Sequence, residues 1–146
     1  MEDENQLTKD RLSNLANNFV KTQTVKIDEI TAGNLTVEIH IQDRGGGREC
    51  YYAVINGEPA AYCYGNVQKR RTGKRFIIAS TFVHPQYQRK GVGTALYTSI
   101  INSNVMLVSD WDLSPGAISL WEKLLKSLPF KTVVVVRDGY FARKRP

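Results

Sequence analysis

Residues 76–101 constrain this chain more than any other stretch. Phe76 to Val83 is an apolar run rich in β-branched and aromatic residues, which predicts a mostly buried strand. His84-Pro85 ends it, since proline has no N–H for a ladder. After a basic turn, Val92, Ala95, Leu96, Ser99 and Ile100 recur at helical spacing and predict a helix with one apolar or small face. Gly91 and Gly93 therefore stand where a strand turns into a helix, directly behind Gln88, Arg89 and Lys90. Amides at a helix start point outward and the helix dipole adds positive character, so an anion can settle there. The glycines remove side chains that would keep a phosphate from the backbone, and Arg89 and Lys90 add charge. The spacing lacks the Gly-Lys-Ser/Thr of a P-loop and the third glycine of a dinucleotide-binding turn.

The rest of the chain reads as one domain, 1–146, since 146 residues suffice for a core without staples. No apolar run approaches membrane-spanning length, and the acidic start Met1 to Asn5 is not a signal peptide, which points to the cytoplasm. The net charge of +6 favours phosphate-rich or acidic partners, nucleic acid among them.

Leu7, Leu12, Leu15 and Phe19 give an imperfect helical stripe within 1–20. Thr24 to Ile30 and Leu35 to Ile41 alternate as strands about a turn at Ala32-Gly33-Asn34, and Arg44 to Arg48 predicts a flexible glycine loop. Cys50 to Ile55 and Pro59 to Val67 form a hairpin about Asn56-Gly57. An unbroken register would set Cys50 opposite Cys63. That permits a disulfide, but the expected compartment favours two reduced thiols. No metal-ligand spacing is present, and His40 and His84 are far apart. The basic run Gln68 to Arg75 is either a solvated hairpin tip or a contact for an anionic partner. Val105 to Ser109 predicts a second buried strand. Ser114-Pro115 opens a helix burying Ala117, Leu120, Trp121, Leu124, Leu125 and Leu128. Strands at Lys131 to Val136 and Tyr140 to Arg143 pair through Asp138-Gly139, ahead of a basic tail at Arg143 to Arg145.

Gln88, two basic residues, Gly91, Val92 and Gly93 resemble the Gln/Arg-x-x-Gly-x-Gly/Ala signature of the GNAT N-acetyltransferase superfamily. Val83-His84-Pro85 with Tyr87 before it, and Thr94 to Tyr97 after it, match that signature's surroundings, and the style of the Ser114 helix looks similar to compact phage members. The resemblance implies an α/β (α+β) fold with a mixed, mainly antiparallel sheet, flanking helices and splayed central strands. It implies acetyl-CoA as cosubstrate, its pantetheine along Thr81, Phe82 and Val83 and its phosphates on the amides from Gln88 through Arg89, Lys90, Gly91, Val92 and Gly93 to Thr94. Ser114 stands where an asparagine often meets the cofactor. The implied activity is N-acetylation of an amine by direct attack in a ternary complex, the acceptor being a protein, an aminoacyl-tRNA or a small molecule and the enzyme a monomer or homodimer.

The sequence departs from the family in two catalytic places. Trp121 stands where many members carry a tyrosine that protonates the leaving thiolate, and indole is no acid in that range. Ala79, Ser80 and Thr81 stand where a glutamate often serves as base. Asp110 and Asp112 are the candidate bases, against a plain reading as a polar loop before a helix cap. Tyr140, Tyr97 and Ser119 are candidate acids, with Tyr97 and Ser119 reading first as packing or cap-side residues, and His84 reads as turn chemistry. Two rival readings are a GNAT-fold binding module without catalysis and a basic nucleic-acid or virion-associated protein.

Overall fold

The computed structural model describes residues 4–71, 73–103, 105–108, 119, 121–122, 124, 131–136 and 139–144. Helix α1 spans Glu4–Asn18 and leads through a 3-10 turn at Lys21–Gln23 into β1 (Val25–Ala32) and β2 (Leu35–Gly45). Strands β3 (Arg48–Ile55), β4 (Glu58–Arg70) and β5 (Gly73–Val83) follow. A 3-10 turn at Pro85–Tyr87 then precedes α2 (Val92–Asn102) and β6 (Val105–Val108). Ser119, Trp121, Glu122 and Leu124 are helical, and β7 (Lys131–Val136) and β8 (Gly139–Lys144) complete the sheet. None of the described helices is long and apolar enough to cross a membrane.

The strands form one mixed sheet in the order β1-β2-β3-β4-β5-β6-β8-β7, antiparallel throughout except where β6 runs parallel to β5. The parallel contact follows from the intervening α2, since such strands need a crossover. In the described residues β6 pairs with Lys74 to Ile77, and β5 runs on to Val83 beyond that contact.

Bulges set which side chains face which layer. Ala60 is the extra residue of β4: Ile55 faces Glu58 and Val54 faces Pro59, but Ala53 faces Ala61. The register expected from an unbroken hairpin is thereby corrected by one residue. Cys50 lies opposite Tyr64 and Cys63 opposite Tyr51, so the two thiols point to opposite faces and both are free. Ala79 is the corresponding extra residue of β5, between the pairs Gly65–Ile78 and Tyr64–Ser80. It reverses the alternation, so Phe76 and Ile78 share a face with Thr81 and Val83.

One face carries the larger core, where Val37, Ile39, Tyr51, Phe76 and Ile78 pack against Leu96, Tyr97 and Ile100 of α2 and against Trp121. The other face carries Cys50, Tyr52, Val54, Tyr62 and Phe82 under Leu15, with Leu12 and Phe19 beside it. Leu7, placed in the apolar stripe by spacing, is exposed. The glycine run after Arg44 is a tight hairpin turn rather than a loose loop, with Gly45, Gly46 and Gly47 all at positive φ. The basic run at 68–75 is likewise a hairpin tip, with Arg70 paired to Gly73.

Candidate functional site

The turn between β5 and α2 is built almost wholly from backbone. His84 donates its N–H to the Ala60 carbonyl at 2.8 Å, and its Nδ1 accepts from the Gln86 amide at 3.0 Å, so it does the turn chemistry expected of it. The Tyr87 amide donates to the His84 carbonyl at 2.8 Å, and Gln88 Nε2 donates to the Val83 carbonyl at 3.1 Å. The signature glutamine thus clamps the turn to the end of the strand.

Arg89 (φ 63°) and Gly91 (φ 82°) are both left-handed. Alternation of this kind curls successive amides into a concave nest. Gly91 is the N-cap of α2, with no side chain bonding the helix start and no acidic residue in the first turn. The first helical bond runs from the Ala95 amide to the Gly91 carbonyl at 2.9 Å, so the amides of Val92, Gly93 and Thr94 precede the ladder. Val92 and Gly93 are buried, Thr94 is half-buried, and Gln88, Arg89 and Lys90 are exposed around the nest. A positive nest flanked by exposed cations fits a phosphate.

Beside this nest lies the C-terminal half of β5. Since His84 bonds Ala60, alternation makes Phe82 the residue whose N–H and C=O face β4, and turns those of Thr81 and Val83 toward the side of β5 on which β6 lies. Phe82 itself is buried against Tyr62, ring centroids 5.9 Å apart, and Val83 is half-buried. The Thr81 hydroxyl donates to Cys63 Sγ at 3.5 Å and lies 2.8 Å from the Tyr97 hydroxyl, which reaches across from α2. Burial holds the Tyr97 phenol well above its ordinary value of 10.0. Trp121 is fully buried, 5.6 Å from the Tyr97 ring, and serves as core wall.

The sequence model of the acetyltransferase (GNAT) family matches residues 19–124. The chain belongs to the GNAT acetyltransferase family. That span brings β5, the amide nest and α2 under the GNAT match. Among solved structures, this GNAT chain is similar to an aminoglycoside acetyltransferase from an uncultured soil metagenomic sample, in complex with sisomicin. Identity there is 15% over 64% of this chain and 66% of that one, with a TM-score of 0.48. It is similar to the ribosomal-protein-S18-alanine N-acetyltransferase from Escherichia coli, with 21% identity over 69% and 71% and a TM-score of 0.44. It is also similar to Arabidopsis thaliana Naa50 in complex with the bisubstrate analogue CoA-Ac-MVNAL, with 12% identity over 64% and 69% and a TM-score of 0.45. Comparison with curated proteins finds no match.

The structure brings Phe82, Val83 and Gln88 to Thr94 together around the strand edge and the nest. Asp110, Asp112 and Ser114 lie outside the described residues. Tyr140 lies on β8 opposite Val135, one residue beyond the Val108–Phe141 pair, which puts its backbone at the C-terminal end of β6. Ser119 is exposed on its helix.

Sequence reasoning missed a cleft of about 260 Å³ on the α1 face, lined by Asn14, Asn18, Arg44, Tyr52, Tyr64 and Ser80 among others. Its signal was present: Tyr52, Tyr62 and Tyr64 share a face, but only in the bulged register, where Tyr52 faces Tyr62. Cys50 also borders the cleft, and burial pushes its thiol up to about 11.

Proposed function

We propose that this chain acetylates an amine with acetyl-CoA, by direct attack within a ternary complex. The observation that carries the reading is the amide nest at Arg89 to Gly91, opening onto an uncapped helix start that follows the end of β5. Acetyl-CoA supplies the activated acetyl thioester. Amides from Gln88 to Thr94 hold its phosphates, while Arg89 and Lys90 add charge without needing fixed geometry. Thr81 and the Val83 N–H offer backbone groups to an extended pantetheine in the manner of an added strand, the Val83 carbonyl being held by Gln88. Tyr97 keeps a proton on its hydroxyl next to Thr81, at the place where the indole of Trp121 cannot supply one. Asp110, Asp112 and Tyr140 remain the proposed proton-handling groups of the acceptor side.

The test is thiol release from acetyl-CoA over pools of amines, with acetylated products found by mass spectrometry. Acetylated amine formed in step with free thiol supports the reading. Tight acetyl-CoA binding with no amine product would favour a binding module instead.

One observation favours an additional anionic contact. At the β4–β5 tip Lys69, Arg70 and Arg71 are exposed together, while Lys74 opposite Lys69 is paired with Glu49 at 2.8 Å. A nucleic-acid-bearing acceptor such as an aminoacyl-tRNA would meet these cations, with affinity falling steeply as salt rises.

A further inference from the structure

The cleft under α1 reaches β5 through Ser80, which follows the Ala79 bulge and precedes Thr81. Among the described lining residues the charge is one-sided. None of the described lining residues is an aspartate or glutamate, and Arg44 brings a cation. Among the described residues Arg44 makes no ion pair. Neighbouring Asp43 spends Oδ1 on the Gly45 amide at 2.8 Å.

The guanidinium is nonetheless held. Nη1 donates to Gln42 Oε1 at 3.3 Å, and the group sits 5.9 Å from the centroid of the Tyr64 ring. Gln42 is buried and fixed in turn, accepting from the Tyr52 hydroxyl at 3.3 Å and donating to Gln23 Oε1 at 3.2 Å. A guanidinium carries five N–H donors, so the Gln42 bond leaves most of the fork for a ligand.

Resting on the acetyl-transfer reading, we infer that the cleft takes a small primary amine that also carries an anionic group, a carboxylate or a phosphate, which Arg44 binds. A polycationic acceptor would meet an uncompensated positive charge there, a repulsive element that rejects it. About 260 Å³ lies just under the usual range for small-molecule pockets and suits an acceptor the size of an amino acid. Asn14 and Asn18 supply amide groups from α1, and Tyr52 and Tyr64 supply flat walls. In the reaction, the neutral amine nitrogen forms a bond to the thioester carbonyl carbon and the carbon–sulfur bond breaks. The proton lost by nitrogen balances the proton taken up by the departing CoA thiolate.

The test pairs acceptors with and without the anionic group: L-amino acids against their carboxamides, and 2-aminoethyl phosphate against ethanolamine, with spermidine as the polycation. Thiol release gives kcat and KM, and calorimetry on the CoA-bound protein gives binding without turnover. The expected result is a preference of at least about tenfold for one anionic series, which identifies carboxylate or phosphate. In Arg44→Gln that preference collapses through a KM raised about 10- to 100-fold, with Arg44→Lys between the two. Thermal melts check that both variants are folded. Preference for spermidine or the neutral amines, or an anionic preference untouched in Arg44→Gln, overturns the assignment. So does acetyl-CoA binding with no turnover of the panel. If acetyl-CoA does not bind the wild type, the acetyl-transfer reading falls with it.

Discussion

The Tyr97 hydroxyl on α2 lies 2.8 Å from the Thr81 hydroxyl on β5. The contact ties the first helix after the amide nest to the strand edge beside it, and Trp121 closes over the ring at 5.6 Å. Removing the hydroxyl in Tyr97→Phe breaks one buried bond and costs about 1 kcal/mol of stability. If that hydroxyl serves the leaving thiolate, kcat also falls on the order of 10²-fold while acetyl-CoA affinity holds. Because burial raises the Tyr97 pKa, its proton stays in place through neutral and mildly alkaline pH, so the wild-type rate has no descending limb from this group there. Urea unfolding of wild type, Tyr97→Phe and Thr81→Val measures the first effect, and steady-state thiol release across pH measures the other two.

Gly65 has no room for a side chain. A Cβ there would overlap the Ile77 carbonyl oxygen and stand 2.9 Å from Phe76 Cζ, next to the register shift at Ala79. Gly65→Ala must displace backbone, and is expected to cost about 1–3 kcal/mol. Urea unfolding of this variant against Gly57→Ala, where the space is open, separates overlap from positive-φ strain.

The cysteines are expected to be silent in the native protein. Burial pushes Cys50 up to about 11 and Cys63 up to about 12, so both stay thiols at neutral pH. A chromogenic disulfide reagent should find neither thiol in the folded protein and both in guanidinium, with no Cys50–Cys63 bridge on oxidation. Rapid native labelling would contradict the burial.

Glu38 gives the acid side of stability. Its carboxylate accepts from His40 Nε2 at 2.9 Å, and chiefly this bond holds its pKa below the ordinary 4.5, with Lys26 assisting and desolvation opposing. A lowered folded pKa means the contribution is complete above 4.5 and is lost as pH falls through the folded value. Glu38 is partly exposed, so the effect is small. Urea midpoints of wild type and Glu38→Gln should differ at pH 6 and draw together as pH falls below 4.5.

Much of this was legible because it rests on periodicity. The apolar run of β5, the small face of α2 and the Asn56-Gly57 hairpin follow from residue type alone. The nest was legible as well, since Gly91 adopts a left-handed conformation that a side chain would strain. What was hidden depends on single inserted residues. Ala60 and Ala79 look like ordinary strand residues, yet each shifts the ladder by one, and Cys50, Tyr62 and Thr81 change faces or neighbours accordingly. Arg44 carried no motif, because its setting comes from Gln42 and Tyr64 on the same sheet face. The placing of β8 between β6 and β7 is a tertiary choice that no local pattern encodes.

The central claim is tested most directly by titrating acetyl-CoA into the wild type and into Gly91→Glu by calorimetry. A carboxylate at the α2 N-cap would repel the phosphates and strain the left-handed position together. Micromolar binding to the wild type, weakened at least about 100-fold in a Gly91→Glu protein that still melts cooperatively, is the predicted result. No binding to the folded wild type, or equal binding to both, would contradict it.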